Sequence, residues 1–387
     1  MKLTYLYDGA CPLCAGEVDR LRRRDAGGAL DLVDITAPSF DAARYGRTLD
    51  ELMTRMHAVD GQGRTLMAMD AVRAAYRAVG LGWLVAPTAW PVLKPVFDSL
   101  YAWIARNRYR LDVLEFYNAT DADYGKWSAD FNMHFGYWAR GLNPLAREPM
   151  LERMNREVVE RLRLQDGAHA VDLGCGTGAT ARSLVRRYPR AQVSAVTMVP
   201  AQIKRGRRLG AGLDGIDFIL ADYTATGLAA GSFDAAYAIE SWCHASGPGK
   251  QAAVAEAARL LKPGGRLVIG DCFVRSKTVP WWIRPAYTRW CRSWAISEMA
   301  QVGALRAALE RAGFVDIAFE DISWRVAPSI AHVPYVAGRF LVTELLRGKL
   351  SPWRWRHVVA SVLSIVLGLC RSSFRYCLVT ARKTTMA

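Results

Sequence analysis

The most constraining feature of the chain is Ala170-Val171-Asp172-Leu173-Gly174-Cys175-Gly176-Thr177-Gly178, an apolar strand that turns through three glycines into a helix. Glycine permits the tight turn and lets a ligand approach the main chain, and the helix N-terminus beyond it offers unpaired N–H groups. The surrounding sequence agrees with such a loop. From residue 151 onward short apolar runs alternate with amphipathic stretches. Val171–Leu173, Gln192–Val196, Asp217–Leu220, Ala235–Ile239 and Arg266–Ile269 read as strands, and Thr180–Tyr188 and Lys250–Leu261 as helices between them. Ser373–Ala381 reads as the closing strand. This alternation predicts an α/β, doubly wound, mostly parallel sheet.

A chain of 387 residues is long enough for two domains. Its N-terminal part opens with a strand at Leu3–Tyr7, a cysteine loop, a helix at Glu17–Arg24 and a second strand at Leu30–Ile35. The expected division is a dithiol domain at 1–115, an aromatic lid or linker at 116–150, and a large α/β domain at 151–387. The net charge of +15 favours anionic partners such as membrane headgroups or diphosphates; a solvated basic face is the other reading. The chain lacks a nucleic-acid-binding signature, so nucleic acid is not expected. Met1–Asp8 reads as a strand and not as a signal peptide. Leu81–Ile104 is broken by three prolines and a lysine, and His357–Cys370 is too short to span a bilayer. Eight cysteines with one close pair suit a reducing cytoplasm.

A lone G-x-G-x-G loop serves dinucleotide and methyl-donor enzymes alike. Asp172, ahead of the glycines, is placed to accept a hydrogen bond from a ligand amine. Leu260-Leu261-Lys262-Pro263-Gly264-Gly265-Arg266-Leu267 reads as a turn before a fifth strand. Taken in order, V-D-L-G-C-G-T-G, A-D-Y (Ala221–Tyr223) and L-L-K-P-G-G resemble the class I S-adenosylmethionine methyltransferases. The resemblance implies a Rossmann-like domain with a seven-stranded, mostly parallel sheet and S-adenosyl-L-methionine as cofactor. It implies cofactor contacts at Asp172, Gly174, Cys175, Gly176 and Gly178, with adenine near Asp222 and Tyr223. Thr197 stands where the family usually has an acidic ribose ligand. Val196–Gln202 is similar to the T-L-S-x-x-Q of tocopherol and cyclopropane-fatty-acid enzymes, which implies that Thr197, Met198 and Gln202 hold the cofactor. The plain alternative is that Thr197 ends a strand and Gln202 faces solvent.

Tyr237-Ala238-Ile239-Glu240-Ser241-Trp242-Cys243-His244-Ala245 should leave a strand end at the mouth of the sheet, with Glu240 and His244 above the glycine loop. Y-A-I-E-x-x-C-H-A resembles the sterol side-chain methyltransferases, which methylate an alkene carbon through a carbocation. That chemistry needs a carboxylate to face the cation, a base to remove a proton, and aromatic faces nearby. Upstream, Tyr124, Trp127, Phe131, His134, Phe135, Tyr137 and Trp138 supply aromatic faces, and H-F-G-Y-W is similar to a signature of tocopherol, sterol and cyclopropane-forming enzymes. Plain packing is the alternative for any one of them. Tyr137 and Tyr223 join Glu240 and His244 as catalytic candidates. Cyclopropane synthases place a glutamate directly before the histidine; Cys243 stands there, which disfavours ring closure.

Asp8-Gly9-Ala10-Cys11-Pro12-Leu13-Cys14 lies between a strand and a helix, where a helix N-terminus stabilises thiolates. Zinc would need a second pair, so a metal is not expected; a structural pair is the alternative to a redox one. Y-D-G-x-C-P-L-C, M-H-A-V-D (Met56–Asp60), D-A-V-R (Asp70–Arg73) and A-R-N-R (Ala105–Arg108) resemble the DCC family of thiol-disulfide oxidoreductases. This implies a thioredoxin-like fold with Cys11 and Cys14 as the redox pair.

Trp281, Trp282, Tyr287, Trp290 and Trp294 form a further aromatic run, and Trp353-Arg354-Trp355-Arg356 precedes the apolar His357–Cys370. Alternating tryptophan and arginine suits an interfacial element on anionic lipid; a buried final helix is the other reading. The expectation is a cytoplasmic fusion, peripheral at the inner membrane face. It would transfer a methyl group to a carbon of a lipophilic alkene, a sterol or other isoprenoid, with Glu240 facing the carbocation. One alternative is C- or N-methylation of an aromatic quinol or amine natural product. Another is a redox protein working through Cys11 and Cys14 with a regulatory methyltransferase-like domain.

Overall fold

The computed structural model describes residues 2–9, 11–37, 40–276, 278–348 and 350–385. Ala10 in the dithiol motif, with the side chains of Pro12 and of 106–111, lies outside the described residues. The chain forms two compact units, Met1–Asp112 and Val113–Ala387. Their division falls inside one helix, Lys94–Thr120. Neither glycine nor proline occurs between Val96 and Thr120, so nothing in the sequence stops that helix near residue 115.

The N-terminal unit is a four-stranded mixed sheet. β1 (Leu3–Tyr7) runs parallel to β2 (Leu30–Asp34) and antiparallel to β3 (His57–Val59), which pairs with β4 (Thr65–Met67) in a hairpin. Tyr5, Val18, Leu21, Leu30, Ala58 and Ala75 form its core. Cys11 caps the helix Pro12–Arg24, and its N–H donates to the Asp8 carboxylate at 3.1 Å. Gly9 packs so closely on Asp34 that a Cβ would stand 1.9 Å from the carboxylate. Cys11 is buried and Cys14 partly exposed.

In the C-terminal unit the remaining strands are β5 (His169–Leu173), β6 (Gln192–Thr197), β7 (Ile216–Leu220), β8 (Phe233–Ile239), β9 (Leu261–Val274), β10 (Ala300–Gln301), β11 (Phe314–Asp321) and β12 (Phe374–Lys383). Their order is β11-β12-β9-β8-β5-β6-β7. The two-residue β10 lies beside β9, an eighth strand that the sequence does not announce. β5 to β9 pair in parallel, and β12 runs antiparallel to both its neighbours. Residues alternate between two core faces: Val171, Leu173, Ala236, Ala238 and Ile269 on one, Ala170, Ala195, Ala235, Tyr237 and Val268 on the other. Burial on both faces explains why the sequence shows continuous apolar runs instead of alternation.

One expectation changes. The L-K-P-G-G turn does not precede the fifth strand but interrupts it. β9 already pairs at Leu261 with Phe233 and resumes at Arg266 opposite Ala235, so Lys262–Gly265 bulge out, with Gly264 at φ 79°. In the C-terminal Trp-Arg run, Trp353, Arg354 and Arg356 are half-buried and Trp355 is exposed. Between β11 and β12 the chain inserts three helices, Ser323–Ile330, Val333–Leu346 and Pro352–Leu369, as a cap. Arg354 pairs with Asp123 at 3.1 Å and with buried Glu344, and Arg356 lies over Phe116 and Trp353. Buried carboxylates and aromatic faces draw these arginines in, while Trp355 stays exposed. No described helix is long and apolar enough to cross a membrane.

Candidate active site

The sheet changes direction of winding between β5 and β8, and a crevice opens at the carboxyl ends of these strands. The loop after β5 fills one side of it. Gly174, Gly176 and Gly178 hold φ of 95°, 52° and 75°, which favours glycine. Space excludes a side chain as well. A Cβ at Gly174 would stand 2.4 Å from that of Ser241, and one at Gly176 would stand 2.8 Å from the Met133 sulfur. The amides of Gly174 and Cys175 donate to the Val196 carbonyl at 3.0 and 2.8 Å, drawing the loop across to the end of β6. Gly178 then caps the helix Ala179–Arg187.

Around this loop the other expected cofactor residues gather. Asp172, near the end of β5, is buried, and burial pushes its carboxyl up to about 8. Thr197 ends β6 and donates to Gln202 at 2.6 Å, both side chains being buried; Gln202 does not face solvent. The Gln202 amide also reaches the Met133 sulfur at 3.7 Å. Met198 packs against the cluster of Val113, Phe116 and Ala295. Asp222, past β7, accepts from the amide and hydroxyl of Thr224 at 2.7 and 2.8 Å. These residues fit S-adenosylmethionine. The glycines leave the main chain bare, and Asp172 is a buried carboxyl with no ion-pair partner among the described residues. A ligand ammonium would supply the missing charge and return that carboxyl to its ionised form.

Beyond Met133 the crevice widens into a cavity lined by Tyr117, Tyr124, Phe135, Glu240, His244 and Trp294 among others. Glu240 stands at its edge directly after β8, with a left-handed φ of 48°. One carboxyl oxygen, Oε1, accepts from the Phe135 amide at 2.7 Å and from the Tyr376 hydroxyl at 2.9 Å. Oε2 has no protein partner among the described residues. Burial, with neighbouring Asp271 adding to it, pushes this carboxyl up to about 8. Asp271 accepts from the amides of Cys243 and Cys272, and burial raises it to about 6.

His244 sits on the short turn Trp242–His244. Its Nδ1 faces the Ala295 carbonyl at 3.2 Å and must carry the proton of the neutral ring. Nε2 is then an acceptor, 3.1 Å from the Tyr117 hydroxyl. Burial lowers His244 to about 4, so the ring is neutral at pH 7. Buried Lys250 holds this turn. Its ammonium donates to the carbonyls of Ala245 and Glu298 at 2.6 Å each and of Cys243 at 3.3 Å. Aromatic rings share the remaining walls with aliphatic side chains such as Ile296, Val333 and Val358. Tyr124, Trp294, Phe116 and Phe340 surround the His357 ring, which burial also lowers to about 4.

Of the four expected catalytic residues, Glu240 and His244 line the cavity. Tyr223 does not: its hydroxyl donates to the Ser241 carbonyl at 2.7 Å and its ring stacks on Trp242. Tyr137 is turned away into the core beside Met154 and Val158, with Arg325 over its ring. H-F-G-Y-W is a short extended segment, so only some of its rings reach the site. His134 and Phe135 do, and upstream Tyr124 and Trp127 join them, while Phe131 and Trp138 are not among the lining residues. Sequence reasoning missed Tyr117, Asp271, Lys250, His357 and Tyr376. Asp271 alone had a local signal, a carboxylate late in an apolar strand; the others come from distant segments.

Comparison with known proteins adds three findings. Residues 5–113 match the family model described as DCC1-like thiol-disulfide oxidoreductase, and residues 170–265 match that of a methyltransferase domain. An O-methyltransferase of Penicillium expansum is 35% identical over 225 residues, 56% of this chain and 77% of the relative. Among solved structures, a geranyl diphosphate C-methyltransferase from Streptomyces coelicolor A3(2) superposes with a TM-score of 0.54 at 16% identity, covering 71% of this chain and 98% of that one. A cyclopropane synthase from Mycobacterium tuberculosis gives a TM-score of 0.58 at 15% identity over 70% and 97%. At such identities the structural likeness concerns the fold.

Proposed function

The chain belongs to the class I S-adenosylmethionine-dependent methyltransferases and carries a DCC1-like thiol-disulfide oxidoreductase domain ahead of the transferase; from this premise we propose that it methylates a carbon of a lipophilic alkene acceptor. The observation that carries this reading is Glu240, a buried carboxyl fixed through one oxygen with the other left to an aromatic cavity. When bound, S-adenosylmethionine supplies an electrophilic methyl group on a sulfonium. Bonding of that methyl to one alkene carbon leaves positive charge on its neighbour.

The residues of the cavity answer that charge. Positive charge nearby favours the ionised form of Glu240, which burial pushes up to about 8, and of Asp271, which burial raises to about 6. A fixed carboxylate in a dry site stabilises such charge strongly, because little reorganisation is needed. Tyr124, Trp127, Phe135 and Trp294 add aromatic faces, each worth roughly 0.5–2 kcal/mol to a cation. The proton adjacent to a carbocation is very acidic, so a weak base suffices. Tyr117 takes it on its hydroxyl oxygen as its own proton passes to His244 Nε2 along the 3.1 Å hydrogen bond. The alkene is restored one methyl group larger.

The same Tyr117–His244 bond favours a second reading, transfer to the oxygen of a phenol or quinol, and the Penicillium expansum relative is named an O-methyltransferase. Glu240→Gln separates the two. On the carbon reading it lowers kcat by at least about a hundredfold, with S-adenosylmethionine affinity by calorimetric titration kept. If turnover of the acceptor survives Glu240→Gln and collapses in His244→Ala, oxygen is the acceptor atom.

A further inference from the structure

A second cavity, with about 1090 Å³ of empty space, lies under the helical cap between Ser323–Ile330, Pro352–Leu369 and β12. It adjoins the first. Phe135, Cys272, Trp290 and Ser364 line both, so these four side chains are a common wall. The Trp290 indole N–H donates to the Ser364 hydroxyl at 2.8 Å and fixes that wall. Tyr376 lines the second cavity while its hydroxyl reaches through to Glu240. The interior is hydrocarbon, from Val326, Ala327, Ile330, Ile365 and Leu367. Its charged wall groups, Arg371 and Arg375, both face Asp321, at 3.6 and 4.0 Å. The far end opens to solvent, where Trp324 and Leu369 are 76% and 78% exposed and Arg371 lies over the Trp324 ring at 4.5 Å.

We infer that the second cavity holds the hydrocarbon tail of the methyl acceptor, and that the Phe135–Trp290 wall and the cap helices set the chain length accepted. The inference rests on the first cavity being the acceptor site. An acceptor whose reacting carbon lies beside Glu240 has this apolar cavity directly behind the Phe135–Trp290 wall. Water confined there would find few polar partners, whereas an alkyl or prenyl chain gains by leaving water.

The test shortens the second cavity from its own walls. A Cβ at Gly368 meets only the Ile330 side chain at 3.6 Å, an ordinary contact, and leucine favours a helix over glycine, so Gly368→Leu fills space without threatening the fold. Ala327→Leu fills it from the facing helix. Retention of dimethylallyl alcohol and of farnesol by the full-length protein is read by equilibrium dialysis without cofactor. Wild type should retain farnesol far better than dimethylallyl alcohol. Each variant should weaken farnesol retention roughly tenfold and leave dimethylallyl alcohol unchanged. Absence of a wild-type preference, or equal effects on both alcohols, overturns the inference. Turnover by Glu240→Gln is scored separately. Full turnover alongside a persisting length effect removes the cation mechanism and keeps the tail site; lost turnover without a length effect does the reverse.

Discussion

Glu240 is held in two unfavourable states at once. Its backbone is left-handed, which costs a non-glycine residue on the order of 1 kcal/mol, and its carboxyl is buried without a cation. Both are compensated by the fold: the amide is bonded to the Gly270 carbonyl and Oε1 receives two donors. The carboxyl stands at about 8 against an ordinary 4.5, so the folded protein holds a proton that the unfolded chain releases between these values. Its contribution to stability is therefore present below pH 4.5 and lost as pH rises towards 8. Glu240→Gln removes the titration. Thermal unfolding of the ligand-free variant should match or exceed wild type, with the difference growing from pH 4.5 to pH 8. A difference that shrinks over this range would contradict the assignment.

At the scale of elements, the glycine loop is the least replaceable piece. Gly174 combines a φ of 95° with contact to Ser241, which itself donates to the Leu173 carbonyl at 2.6 Å. Gly174→Ala must therefore push the loop off the Ser241–His244 turn. It should lower stability by about 1–3 kcal/mol and weaken S-adenosylmethionine binding by more than tenfold, read by thermal melting and calorimetric titration. Unchanged binding would show that the loop does not hold the cofactor. Strands were easy to read in this region because burial on both faces makes them apolar throughout. The β9 bulge was not, because L-K-P-G-G has the composition of a turn whether the chain ends a strand there or continues it. Trp353–Arg356 has interfacial chemistry, and Asp123 and Glu344, from other segments, pair with Arg354.

For the whole molecule, each unit has its own sheet and its own core. The described residues lining the cavity belong to the C-terminal unit. Cys11→Ser should leave the methyl-transfer rate of purified, reduced protein within about twofold of wild type, measured with labelled donor, while abolishing any dithiol–disulfide cycling detected by thiol trapping. A large fall in transfer would mean that the units are coupled.

The sequence by itself determined the sheet, the glycine loop and the position of Glu240. These depend on local periodicity, on glycines at forced dihedrals, and on a polar residue closing an apolar strand, all of which are written within a few neighbouring residues. Tertiary structure alone decided the rest of the site. It brought Tyr376 from the last strand and Phe135 from the lid onto one oxygen of Glu240, set Tyr117 against His244, and turned Tyr137 and Tyr223 away. Partners separated by more than a hundred residues share no local pattern, so only packing brings them together.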